Sequence, residues 1–194
     1  MRSKDEIVKE EIILNAQKLF KQFSLKKTTM DDIAESCGKA KSTLYHYFKN
    51  KDHIFDEVIQ LELIALRVLV KEKVDAKKTI SDKLSTYFLE FHKEIAHKVN
   101  LHSGLRNDLK NDKKTTELFR RTIAFETKFI TRILEEGYDT GEFTEVKLED
   151  IPWFAESALA AFFGIVRFSI ENENGFELEK IERISNTFTP KIFG

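Results

Sequence analysis

Residues 38–51, GKAKSTLYHYFKNK, concentrate side chains suited to recognition rather than to catalysis. Lys39, Lys41, Lys49 and Lys51 supply four ammonium groups, and no acid stands among them. Between them Ser42, Thr43, Tyr45, His46 and Tyr47 offer hydroxyl and imidazole groups that can donate or accept hydrogen bonds. Such an array fits a polyanion whose polar edges must also be read. Ammonium groups neutralise phosphates and release counterions, while hydroxyls and imidazole reach base edges or sugar-phosphate. The segment carries +4 in a chain of formal net charge −1, which leaves −5 for the remainder, so the overall balance hides a local basic surface.

Other constellations that could do chemistry are thin. His92 and His97 are five residues apart, about 140° round a helix, and so do not form the zinc pair that a spacing of four would give. No HExxH, GxSxG, phosphate-loop or dinucleotide pattern is present, and the acids are spread along helix surfaces. The sequence therefore reads as no enzyme, with no metal site and no cofactor. The single cysteine, Cys37, cannot form an internal disulfide and fits a reducing cytoplasm as a small, buried apolar residue. MRSKDEIVKEE at the N-terminus mixes charges and lacks the apolar core of a signal peptide. The longest uncharged apolar run, Ala158 to Val166, is half of a bilayer span, so no membrane partner is expected.

The elements that position these residues follow from composition and spacing. Two prolines and seven glycines in 194 residues, with Lys, Glu, Leu, Ile and Phe dominant, predict an all-α fold. Ile7, Ile12, Leu14, Ala16, Leu19, Phe20 and Phe23 form one apolar stripe of a helix over about 4–23, followed by the polar break SLKKT. Thr29, Asp31 and Asp32 are the start signals of a short second helix, which Gly38 ends as a left-handed cap. A third short helix covers about 41–48 and is closed by Asn50. From Asp52 an apolar pattern carries a helix of about six turns to Lys73, the natural mechanical link to the rest. Further helices are predicted at about 79–99, 102–110, 114–138, 148–172 and 177–188, about nine in all. Two short helices joined by a tight glycine turn have the punctuation of a helix-turn-helix, whose second helix lies in the DNA major groove.

Residues 13–55, ILNAQKLFKQFSLKKTTMDDIAESCGKAKSTLYHYFKNKDHIF, resemble the N-terminal domain of the tetracycline-repressor (TetR) family of bacterial transcription regulators. The matching positions are Leu19, Phe20, Thr28, Thr29, Ile33, Ala34, Gly38, Thr43, Leu44, Tyr45, Phe48 and Lys51, and they cover under a quarter of the chain. The resemblance implies a DNA-binding domain over 1–51 and a larger helical effector-binding and dimerisation domain over 52–194. It implies that Thr28 and Thr29 open the supporting helix at a phosphate and that Lys41, Ser42, Thr43, Tyr45, His46 and Tyr47 face DNA. Lys51 would hold a phosphate, and Leu44 and Phe48 belong to the domain core by their spacing. The family usually has glycine where Ser24 stands, and a small apolar residue followed by serine where Lys39 and Ala40 stand. Without that serine, Ser42 is the candidate cap, which would shift the first turn of the reading helix. Which of Lys39, Lys41 and Ser42 reaches bases stays open.

DIPWFAESALAAFFGIVRFSIEN is apolar on nearly every side from Trp153 to Phe168, so the helix must be covered all round, by its own domain or by a partner. Small residues Ser157, Ala158, Ala161 and Gly164 would allow close approach of a second helix. By this argument and by resemblance, Trp153, Ser157, Ala158, Ala161, Gly164 and Phe168, with Ile184 and Phe188 of the last helix, form the interface of a homodimer. The other reading is an internal core helix. Resemblance also implies a small-molecule pocket among the middle helices, where Phe88, Phe91, Phe125 and Phe129 would line it and His92, His102 and Arg106 would orient an apolar or aromatic effector. The expected function is a cytoplasmic homodimeric repressor released from double-stranded DNA by that effector. The alternative is a regulator whose C-terminal domain docks a protein and has no small-molecule effector.

Overall fold

The computed structural model describes residues 3–101 and 113–171, with 179, 182 and 183. Among these residues the fold is all-α: α1 Lys4–Lys27, α2 Met30–Ser36, α3 Lys41–Tyr47, α4 Lys51–Asp75, α5 Ile80–Leu101, α6 Lys113–Thr140 and α7 Ile151–Glu171, the last preceded by a 3-10 turn, Leu148–Asp150. The helix expected at 102–110 lies outside the described residues. Of the one expected at 177–188, only residues 179, 182 and 183 are described, and these are helical. The chain divides into two compact units, one holding residues 3–65 and the other 66–100 and 113–171. Helix α4 contributes to both.

In the first unit most helix ends carry a local signal. Ser3 caps α1: its hydroxyl accepts from Glu6 N at 3.1 Å while the Glu6 carboxylate accepts from Ser3 N at 2.7 Å. Thr29 and Asp32 repeat that box at α2, at 3.2 and 2.8 Å, and the two bonds from Thr29 hold the Asp32 carboxyl below its ordinary range. Gly38, at φ +61°, ends α2 as expected. Gly38 N donates to Glu35 O and Lys39 N to Ala34 O, both at 3.0 Å, which satisfies carbonyls that the helix leaves open. Asn50 does not close α3. Its side chain accepts from His53 N at 2.9 Å and so opens α4, while α3 ends at Phe48, whose N–H donates to Leu44 O.

The core of this unit is Ile12, Ala16 and Phe20 of α1, Met30, Ile33 and Ala34 of α2, Leu44 and Phe48, and Ile54, Phe55 and Val58 of α4. The four-residue spacing 12–16–20 is the buried line of α1. Ile7 and Leu14, assigned above to the same stripe, are exposed because they lie off that line; Phe23 falls on its azimuth yet is also exposed, next to the Ser24 kink. Helical structure continues past Phe23 to Lys27, but through a kink at Ser24. Lys9 with Glu57 and Lys21 with Glu62 link α1 to α4, each at 2.7 Å.

In the second unit the buried residues recur at helical spacing on four elements: Leu66, Val70 and Val74; Ile80, Leu84, Tyr87, Phe88 and Phe91; Ile130, Ile133 and Leu134; and Ile151, Ala155, Leu159, Phe162, Phe163, Val166 and Ile170. Burial of each large apolar side chain contributes about 1.5–3 kcal/mol, so this aromatic and aliphatic core is the main cohesive term of the unit. Gly137 of α6 is required by packing. A Cβ there would stand 2.9 Å from Ile80 Cγ1 and 3.1 Å from Phe143 Cβ.

Candidate nucleic-acid interface

Helices α2 and α3, joined by residues 37–40, form the helix-turn-helix. Leu44 and Phe48 are fully buried and anchor α3 by one side. Ser42, Tyr45, His46 and Lys49 recur at intervals of three and four and are all exposed, Tyr45 at 51%. Within α3 this leaves one hydroxyl, one phenol and one imidazole on a single outward stripe, and Lys49, past the extended Phe48 that ends the helix, adds an exposed ammonium. Lys41 is exposed, and Thr43, Tyr47 and Lys39 are half-buried. The His46 and Tyr47 rings meet edge to face with centroids 4.9 Å apart, which fixes the outer end of the helix.

The first turn of α3 is not shifted. Ala40 occupies the N-cap position, and no side chain caps the helix. Ser42 lies one residue inside α3, so it has not replaced the missing cap and its hydroxyl stays on the exposed stripe.

Two matching residues are placed differently from the expectation. Thr28 is only 2% exposed and its hydroxyl donates to Ser24 O at 2.8 Å. Lys51 turns its ammonium onto main-chain carbonyls, Leu25 O at 2.8 Å and Thr28 O at 2.9 Å. Both serve the same defect. Ser24 sits at φ +72°, ψ 161°, a region that is essentially glycine's, and the α1 carbonyls just after it lose their regular partners. The side chain of Thr28 thus stabilises the kink, and the ammonium of Lys51 acts as the cap of the following turn. Thr29 is exposed, at the start of α2, with its hydroxyl on Asp32.

The residues expected around an effector divide between inside and outside. Phe88, Phe91 and His92 are buried and Phe129 half-buried. Their rings join Tyr87, Phe162 and Phe163 in one cluster, with Phe91–Phe163 at 5.5 Å, His92–Phe162 at 5.1 Å and Tyr87–Phe129 at 5.7 Å. Burial among these rings lowers the His92 pKa to about 4, so its imidazole is neutral at pH 7. Phe125 is corrected: it is 56% exposed, and its outer face carries the Arg67 guanidinium 3.7 Å from the ring centre. His102 and Arg106 lie outside the described residues.

Beside the cluster stands a polar group that the sequence reading missed. Glu126 is buried, its carboxylate paired with Arg67 Nε and accepting from the Tyr87 hydroxyl at 3.0 Å. Burial and the neighbouring carboxylate hold the Tyr87 phenol well above its ordinary pKa. The signal was available: Glu126 occupies the register of Thr122, Ile130 and Ile133, so an acid stood on the apolar line of α6.

On α7 the buried line 151–155–159–162–166–170 covers only one side. Trp153 is 71% and Phe168 67% exposed, and Ser157, Ala161 and Gly164 lie open between them, with nothing within 4 Å of a Cβ built at Gly164. Ala158 is half-buried. The fully internal helix is therefore excluded within the described residues. Ile184 and Phe188 lie outside them. By length and composition alone, residues 148–171 would also suffice to cross a membrane. Packing of its buried line into the unit's aromatic core accounts for that apolar content, with Glu156 and Arg167 interrupting it.

Residues 12–58 match the model of the bacterial regulatory proteins, tetR family. Over those residues the chain is similar to the TetR family. A relative described as the HTH-type transcriptional repressor KstR2 of Mycolicibacterium smegmatis is 31% identical over 46% of this chain and 44% of its own. The chain thus matches less than half the length of that relative. Over nearly the whole chain the likeness is one of fold. A transcriptional regulator from Cytophaga hutchinsonii shares 24% identity over 95% of this chain and 98% of its own, with a TM-score of 0.69. The regulator FadR from Bacillus subtilis, solved in complex with stearoyl-CoA, shares 20% identity over 95% and 97%, with a TM-score of 0.65.

Proposed function

We propose that this chain is a homodimeric, cytoplasmic DNA-binding transcription regulator of the TetR family that represses until an apolar or aromatic small molecule releases it. In this reading, residues 1–51 bind DNA and residues 52–194 carry dimerisation and effector binding. The observation that carries it is the outward stripe Ser42, Tyr45 and His46, followed by the exposed Lys49, on a helix fixed from behind by Leu44 and Phe48. An anchored helix with such a stripe suits a major groove, where these side chains can meet base edges and phosphates. Thr29, Lys39, Lys41, Thr43 and Tyr47 flank the stripe. A repressor among the relatives supports the sense of regulation.

The second copy is the occupant proposed for the α7 face, because a two-fold dimer presents two reading helices at once and the face joins large apolar to small residues. The effector reading rests on the aromatic cluster around Phe88, Phe91, His92 and Phe129, and draws support from the acyl thioester bound by the Bacillus subtilis neighbour. Binding of an effector better to the form unable to span both half-sites would shift the population off DNA.

Fluorescence anisotropy on the DNA upstream of the protein's own gene, against scrambled DNA over a salt series, tests this. Selective binding that Tyr45→Ala abolishes is expected, and stearoyl-CoA serves as the first effector probe. Equal binding to both DNAs, unaffected by Tyr45→Ala, would overturn the DNA reading. Lys51→Ala is a poor test, since it also uncaps α1.

A further inference from the structure

The groups of the reading segment best able to meet phosphate are already held by carboxylates of their own unit. Lys41 Nζ donates to Asp31 Oδ2 at 2.7 Å. Lys39 Nζ lies 2.8 Å from Glu11 Oε2. The Tyr47 hydroxyl donates to Asp5 Oδ1 at 2.9 Å. The acids come from α1 and α2, the helices that precede the reading helix in sequence. Lys49, in contrast, meets no acid among the described residues.

The Lys41–Asp31 pair is too exposed to be there for stability. Lys41 and Asp31 side chains are 50% and 65% exposed, a setting in which an ion pair contributes little to folding and is screened by salt. What these contacts do is occupy the ammonium groups with an oxyanion that resembles a phosphate oxygen in charge and hydrogen-bond geometry. A phosphate that approaches Lys41 or Lys39 competes with that oxyanion for the ammonium's donors, and the carboxylate's charge stays close to the DNA.

We propose that Asp31 and Glu11, with Asp5 on Tyr47, are internal phosphate surrogates, so that DNA binding is an exchange of phosphate for carboxylate and these acids set the affinity for DNA that offers phosphates alone. The proposal rests on the DNA reading above. Its physical consequence lies in the salt dependence. An unpaired lysine that meets a phosphate releases close to one counterion, which steepens the fall of affinity with salt. A lysine that leaves a carboxylate frees an anion that takes up a cation, so the net release is smaller. Lys49 contributes in full, whereas Lys41 and Lys39 contribute in part.

The test uses the full chain on random-sequence duplex and on its upstream DNA, by anisotropy over a salt series. Asp31→Asn is expected to tighten binding to random DNA by about 2–5-fold, the range that a displaced surface pair allows. It should also steepen the log-log salt slope by up to about one. Glu11→Gln should act in the same way through Lys39. In a Lys41→Met background the Asp31→Asn effect should shrink to the part owed to charge repulsion alone, and Glu57→Gln, which removes the same charge from a pair with Lys9 outside the reading segment, should leave the slope unchanged. Circular dichroism of each variant checks that the helices persist. If Asp31→Asn and Glu57→Gln act equally, or if the Asp31→Asn effect is undiminished in the Lys41→Met background, the effect is one of general charge and the proposal fails. If the wild-type chain selects its upstream DNA while Asp31→Asn matches it in affinity and slope, the surrogate role alone falls. If the wild-type chain binds neither DNA, the DNA reading falls with it.

Discussion

Ser24 is where a single side chain conflicts with the backbone it must adopt. Its φ of +72° with ψ 161° lies in a region that only glycine enters freely, and such a residue costs on the order of 1–3 kcal/mol. Thr28 and Lys51 stabilise the kinked segment from outside, which is why the strain persists. Ser24→Gly removes the clash but loosens the unfolded chain, so a net gain of about 1 kcal/mol is expected, seen as a rise of a few degrees in thermal midpoint. His92 is the residue whose effect on stability depends on pH. Its folded pKa of about 4 lies below its ordinary 6.5, so the unfolded chain binds the proton first as pH falls. Stability from this group is complete above about 6.5, declines through the window down to about 4, and changes no further below it. The total amounts to about 3 kcal/mol. His92→Leu should flatten that part of a stability–pH curve measured by urea unfolding, and an unchanged curve would show that the imidazole is not the group responsible.

Among the elements, α3 is the one with a missing part. Seven residues form just under two turns, and Ala40 leaves the first amides without a side-chain acceptor. Ala40→Ser supplies the hydroxyl at the position where the helix already begins, and should stabilise by about 1 kcal/mol in denaturant unfolding. The helix holds without that cap because Leu44 and Phe48 are buried against α1, α2 and α4, so tertiary packing replaces a local signal. On α7 the elementary fact is asymmetry. One face is core, while the other carries Trp153 and Phe168 in the open with small residues between them.

For the molecule as a whole, that open face is the place to test assembly. Phe168→Asp puts a charge where the proposed second copy packs, at a side chain 67% exposed in its own unit, so the variant should keep its helical spectrum and sediment as a monomer. A variant that remains dimeric would move the interface off α7. Loss of the dimer should also weaken operator binding far more than binding to random DNA, because two reading helices acting together are needed only at a spaced pair of half-sites.

Helix type and approximate ends were legible because they rest on local physics: the caps at Thr29 and Gly38, the buried spacing of Leu44 and Phe48, and the composition that excludes strands. The helix-turn-helix was legible for the same reason, since its motif is short and contiguous. Burial on one helix was less so. Ile7, Leu14 and Phe23 read as core but are exposed, and Phe125 reads as lining but lies outside, because periodicity gives a face and not what covers it. Only the tertiary structure decided which charges meet. Lys51 closes onto carbonyls about 25 residues earlier in the chain, Lys39 onto Glu11, and Arg67 onto a buried Glu126, and such pairings depend on distances in space that no sequence spacing encodes.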